Sequence, residues 1–345
     1  MKNIKKKFIN HKKQQILPPD LNYKYFENCN KHPFQPKAKQ FSLVNAWWLA
    51  ESSFLAYAPE GFISEQVKKA GMISFRFFNS EKCKCFVSAT KDYAIVAFRG
   101  TATDSFDFFT DWIDNLNMKL TDFKFGGMVH SGFYNAFKDI QKKEIGFFDY
   151  LLFLKKKYKR IRFWFTGHSQ GAAVAVIAAR FFQHCQALYT FGSPKVGNSD
   201  FCDCLDFPIY RFVQYHDIIT SLPPVFDSDK KKDYKHAGIV KFIDKNTVLL
   251  DEIKFSEIPL TKTIKVSSRI IDIIFDKEKS ILTKIQEVKT QEIPDNKQKS
   301  PKTWISRFLN KVRNFLLINR GFSIRNHYPV FYAVHLWNIY IRSIN

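Results

Sequence analysis

The sequence predicts an α/β fold, a mostly parallel central sheet with helices on both faces. Three observations carry this. Short strand-like runs alternate with helical segments from residue 93 onward. The runs are apolar at nearly every position rather than at every second one, as strands covered on both faces must be. At one junction an apolar run passes through Gly167-His168-Ser169-Gln170-Gly171 into an Ala-rich helix. With 345 residues, 45% of them apolar, the chain can enclose one large domain with appendages.

Residues 1–40 are basic and punctuated by Pro18, Pro19, Pro33 and Pro36, with neither helical nor strand period. They read as a basic N-terminal arm, extended ahead of a domain covering 41–345. Over 42–57 the residues Leu43, Ala46, Trp47, Ala50, Phe54 and Tyr57 recur at three- and four-residue steps, which predicts a helix. Strands follow at 72–78, 83–89 and 93–98, the last two joined through Thr90-Lys91-Asp92 as a hairpin. Next come a helix over 136–156, a strand over 160–165, a helix over 170–182, a strand over 186–191, a short helix over 199–205 and a strand over 209–215. An apolar run at 239–243 and a terminal helix at 330–341 complete the order.

Between about 245 and 320 the pattern degrades, with clustered charges, Pro294, Pro301 and a Gln/Lys/Glu-rich stretch, as in an insertion. Inside it Trp304, Phe308, Val312 and Phe315 share a helical face beside Arg307 and Lys311. Such a basic amphipathic helix suits a membrane interface or packing on its own domain.

The chain carries 54 Lys+Arg against 32 Asp+Glu, a net charge of +22. That charge favours anionic surfaces. In the absence of a nucleic-acid motif, peripheral contact with an anionic membrane is the expected partner and nucleic acid is not. No run approaches the roughly 18 apolar residues of a membrane span, and the basic start leads into no apolar signal core. The expected location is the cytoplasm or a membrane surface. Cys29, Cys83, Cys85, Cys185, Cys202 and Cys204 lack zinc-site spacing, so they read as reduced structural thiols, with no metal expected.

The chemistry begins at Ser169. A G-x-S-x-G between strand and helix is a nucleophile elbow, its glycines leaving room for a turn too tight for side chains. A serine hydroxyl needs a histidine base oriented by a carboxylate, and on this layout they follow in the order serine, acid, histidine. Asp217, just past the strand at 209–215, is the candidate acid. His327, in a loop closed by Tyr328-Pro329, and His236, just before the run at 239–243, are candidate bases; His335 lies inside the terminal helix. Oxyanion donors come from the backbone after the serine, at Gln170, and from Thr101 at the end of the strand at 93–98, whose hydroxyl adds a further donor.

Together Phe98-Arg99-Gly100-Thr101, Asp111-Trp112-Ile113, Val129-His130-Ser131-Gly132-Phe133, the Ser169 elbow, Tyr189-Thr190-Phe191-Gly192-Ser193-Pro194-Lys195-Val196-Gly197, Asp217 with Leu222-Pro223-Pro224, and His327-Tyr328-Pro329 resemble the fungal-type class 3 lipase family. The resemblance covers about 42–243 and the final helix. It implies an α/β-hydrolase fold, a triad of Ser169, Asp217 and His327, and oxyanion donors at Thr101 and Gln170. It also implies a short lid at 105–110, where Phe106, Phe108 and Phe109 stand, a lipid ester substrate and no cofactor. An acylglycerol leads as substrate, a phospholipid follows, and the rival from another class is a non-catalytic membrane-binding protein.

Overall fold

Where a strand is flanked by helices on both sides, every side chain has an apolar neighbour to meet, and the central strands of this chain show it. Along β6 (Arg162–His168) the rings of Phe163 and Phe165 join one core while Trp164 joins the other. Leu188 and Tyr189 of β7 (Cys185–Phe191), and Ile209 and Tyr210 of β8 (Ile209–Gln214), divide the same way. Alternate side chains thus point to opposite faces, and both faces are clothed, which is why the strands look apolar throughout.

The computed structural model describes residues 6–9, 18–101, 119–215, 217–223, 234–252 and 324–344. Its eight-stranded sheet has the order β1-β2-β3-β6-β7-β8-β9-β10. Here β1 is Ser74–Asn79, β2 Lys84–Ala89, β3 Tyr93–Phe98, β9 Ile239–Ile243 and β10 Leu249–Leu250. The five strands β3, β6, β7, β8 and β9 run parallel, and β1, β2 and β10 add antiparallel edges. A small separate ribbon pairs β4 (Leu120–Asp122) with β5 (Met128–His130).

One face of the sheet is covered by α1 (Leu43–Leu55), capped by Ser42 Oγ accepting from the Asn45 N–H, and by the terminal α7 (Pro329–Ile344), which packs on α1. Against the other face lie α3 (Ser131–Gln141), α4 (Phe147–Lys157) and α5 (Gln170–Phe182). This is the α/β-hydrolase fold that the sequence predicts, a mostly parallel sheet between two helical layers. The short α6 (Ser199–Asp203) precedes β8. The polar helix α2 (Glu60–Lys69), which buries only Ile63 and Val67, escaped the periodicity reading.

The helix predicted over 136–156 is instead two. Helix α3 already starts at Ser131, because the His130 ring accepts from the Gly132 and Phe133 N–H groups. The chain then turns through Lys143–Ile145 and breaks at Gly146, whose φ of +66° lies in the left-handed region. Residues 18–40, expected as an extended arm, form turns without helix or strand, and Tyr25, Phe26 and Phe34 enter the core around α1. Buried Glu51 accepts from Trp47 Nε1, the Tyr23 hydroxyl and the Phe26 N–H, and pairs with Lys7 Nζ at 3.1 Å. Irregular backbone has no period for a sequence to display. The insertion expected at about 245–320 lies outside the described residues beyond 252, as do the amphipathic helix at 304–316 and the lid at 105–110.

Candidate active site

Strand β6 ends at His168 and α5 begins at Gln170, so Ser169 alone makes the turn, with φ 56° and ψ −130°. The flanking glycines are required by contact. A Cβ on Gly167 would lie 2.5 Å from the Gly171 carbonyl oxygen, and one on Gly171 would lie 2.5 Å from Arg99 backbone atoms. The Ser169 N–H donates to the Phe191 carbonyl at 2.9 Å, tying the elbow to β7. Its side chain is buried at the positive end of α5, and Oγ has no hydrogen-bond partner among the described residues.

Asp217 leaves β8 and caps the turn Ile218–Ser221, its Oδ1 accepting from the Ile219 N–H at 3.0 Å. His327 closes the turn Ile324–His327, directly ahead of Tyr328 and α7. The His327 Nδ1 lies 2.9 Å and 2.8 Å from the two Asp217 oxygens, with both side chains buried. The Tyr332 hydroxyl donates to Asp217 Oδ2 at 2.6 Å and accepts from the Gln214 N–H at 3.0 Å. Burial and the neighbouring Asp217 charge push the Tyr332 phenol well above its ordinary pKa, so it remains a donor. Gly192, at φ +61°, passes so close that a Cβ there would sit 2.9 Å from Asp217 Oδ2 and from His327 Nδ1.

A second histidine sets the first. The ring of His168 has its centroid 4.5 Å from that of His327. Its Nε2 lies 2.5 Å from the His327 carbonyl oxygen and its Nδ1 lies 2.8 Å from the Tyr57 hydroxyl. Burial, followed by the charge of His327, holds the His168 pKa well below the ordinary histidine value. Neutral His168 therefore donates through Nε2–H to the carbonyl and accepts from Tyr57 at Nδ1, since a carbonyl can only accept.

Thr101 and Gln170 meet at the other end of the elbow, where the Thr101 hydroxyl donates to Gln170 Oε1 at 2.5 Å. Its proton is thereby turned to the amide rather than offered as the extra oxyanion donor the sequence suggested. The backbone N–H groups of both residues keep that role available. The structure thus brings Ser169, Asp217, His327, Thr101 and Gln170 to one edge of the sheet.

The imidazole paired with Asp217 is that of His327 and not of His236. Burial and the Arg211 and Lys195 charges depress the His236 pKa well below normal. His335 faces Gln214. Sequence reasoning missed Tyr57, His168 as a positioning group, and Tyr332. His168 was visible as the variable position of the motif, whereas Tyr57 and Tyr332 carry no local signal.

Residues 95–227 match the family described as lipase (class 3). A secreted mono- and diacylglycerol lipase of Fusarium solani is 32% identical over 126 residues, covering 33% of this chain and 36% of that protein. The chloroplastic phospholipase A(1) DAD1 of Arabidopsis thaliana is 25% identical over 216 residues, covering 54% of this chain and 42% of that protein. The matches thus span well under half the length of these curated relatives. Among solved structures, the Rhizomucor miehei triacylglyceride lipase aligns with a TM-score of 0.47 at 21% identity, covering 59% of this chain and 80% of that one. The match to the class 3 lipase family thus takes in Thr101, Ser169 and Asp217 and covers less than half of the chain.

Proposed function

We propose that the protein is a serine hydrolase that cleaves carboxylic esters of lipids. The observation that carries this reading is the buried Asp217–His327 pair at the same sheet edge as a strained, unpartnered Ser169. Ser169 Oγ attacks the ester carbonyl carbon while His327 Nε2 takes its proton. Asp217, held on Nδ1, keeps that tautomer and stabilises the imidazolium. The tetrahedral oxyanion rests on the Thr101 and Gln170 N–H groups. Collapse expels the alcohol, which takes the proton from His327, and leaves an acyl-serine. Water, deprotonated by His327, then attacks the acyl carbon, and the carboxylic acid departs as Ser169 regains its proton.

The net charge of +22 supports work at an anionic membrane surface. The test compares the wild type with Ser169→Ala on a soluble chromogenic ester and on emulsified and bilayer lipids. Loss of the serine is expected to lower turnover by about 10⁴-fold or more. Equal rates in the two proteins, with lipid binding retained, would instead make this a non-catalytic membrane-binding protein.

A further inference from the structure

The antiparallel edge of the sheet places a charged turn beside the oxyanion donors. Strand β2 runs against β3, with Cys85 opposite Phe98. The turn between β1 and β2 therefore arrives at the same end of the sheet as Arg99, Gly100 and Thr101. The Arg99 N–H donates to the Lys84 carbonyl at 2.9 Å, which ties that turn to the oxyanion loop.

Between them lies a cavity of about 220 Å³ whose wall includes Glu81, Lys82, Lys84, Arg99, Thr101 and Gln170. Lys82 and Lys84 form no ion pair among the described residues. Their backbones are occupied, Lys82 N–H donating to Asp139 Oδ2 at 2.7 Å and the Lys84 carbonyl accepting from Arg99, while their ammonium groups take no part in these bonds. The two lysines against the single carboxylate of Glu81 in its wall give the cavity an excess of positive charge next to Thr101 and Gln170.

Resting on the ester-hydrolase reading above, we propose that this cavity is a headgroup subsite for the phosphate of a glycerophospholipid, held by Lys82 and Lys84 beside Arg99. In such a lipid the phosphate lies only a few bonds from the scissile ester. An ester carbonyl on Thr101 and Gln170 therefore leaves the phosphate within the same cavity. A neutral acylglycerol offers nothing to these cations, so the cavity discriminates by headgroup charge, and the selectivity is independent of the overall charge that draws the protein to membranes. Two charge-assisted hydrogen bonds to a partly exposed phosphate correspond to about tenfold or more in selectivity.

The experiment presents phosphatidylglycerol and diacylglycerol with the same acyl chains in the same neutral detergent micelle, with cholesteryl sulfate added to the diacylglycerol micelles at the mole fraction of the phospholipid so that surface charge is equal. The ratio of kcat/KM for the two substrates is measured on the full chain. Lys82→Gln/Lys84→Gln is expected to lower that ratio about tenfold. Lys82→Arg/Lys84→Arg should restore it, and Lys156→Gln/Lys159→Gln, exposed lysines elsewhere, should leave it intact. Retention on neutral micelles doped with ether-linked phosphatidylglycerol gives a readout that needs no turnover, and the glutamine pair should weaken it. A ratio and a retention unmoved by the glutamine pair, or moved equally by the distant pair, overturn the subsite. Ser169-dependent turnover without headgroup preference would sink this proposal alone, whereas absence of any Ser169-dependent turnover sinks the hydrolase reading and leaves the retention arm to judge the cavity.

Discussion

Asp217 shows how much a single buried carboxylate depends on its donors. Its oxygens meet the Ile219 N–H, His327 Nδ1 and the Tyr332 hydroxyl. The same hydroxyl also accepts from the Gln214 N–H. Tyr332→Phe keeps the ring and removes only the oxygen, leaving one carboxylate lone pair and one buried N–H without a partner. A destabilisation of about 2 kcal/mol is expected, read from the urea midpoint. Ester turnover in this variant should fall far less than in Ser169→Ala, since the Ile219 and His327 contacts persist. At the same scale, Gln170 takes the Thr101 hydroxyl as a donor to its amide oxygen, so the proposed mechanism leaves the oxyanion to the backbone N–H groups.

At the scale of elements, a glycine separates two helices that composition alone would merge. The run from Ser131 to Lys157 has enough apolar residues for one long helix. It breaks at Gly146 because the two halves bury different sets, Phe133, Ala136, Phe137 and Ile140 in α3 and Phe147, Leu151 and Leu154 in α4. A side chain at Gly146 would have room, since its Cβ would come only within 3.7 Å of Arg76 Nη2. The penalty for Gly146→Ala is therefore backbone strain alone, and a loss of about 1 kcal/mol is expected. Thermal or urea unfolding measures it, with ester turnover unchanged. The glycines of the elbow obey the opposite logic, because there the space itself is missing.

For the whole molecule, buried imidazoles set the response to acid. Burial holds His130 down to about 4, and His168 and His236 are depressed as well. In the unfolded chain these rings titrate near the ordinary value of about 6.5. Above that pH both states carry them neutral, and no stability depends on pH through them. Below it the unfolded chain binds protons that the folded protein refuses, so stability falls as pH drops from about 6.5 toward 4. Each such ring contributes a slope of about 1.4 kcal/mol per pH unit within its window. Replacing His130 by Asn, which can still accept from the α3 N–H groups, should remove one share of that slope. Urea midpoints measured across pH 4 to 7 test this, and an unchanged slope in His130→Asn would contradict it.

The strands, the elbow with its two glycines, the acid just past β8 and the candidacy of His327 were legible because each has a local signature. A buried parallel strand must be apolar, and a tight turn must be glycine-flanked. A triad on this layout follows a fixed order along the chain. What no local signature records is which distant groups converge. Tyr57 meets His168 across 111 residues, Tyr332 meets Asp217 across 115, and Lys84 reaches Arg99 only because β2 folds back along β3. The irregular residues 18–40 became part of the core for the same reason. Burial rewards any apolar surface that tertiary packing brings within reach, whereas periodicity registers only surface repeated along regular backbone. The chain by itself therefore marked Ser169 as the candidate nucleophile, and tertiary packing alone decided what positions His327 and what lies beside Thr101 and Gln170.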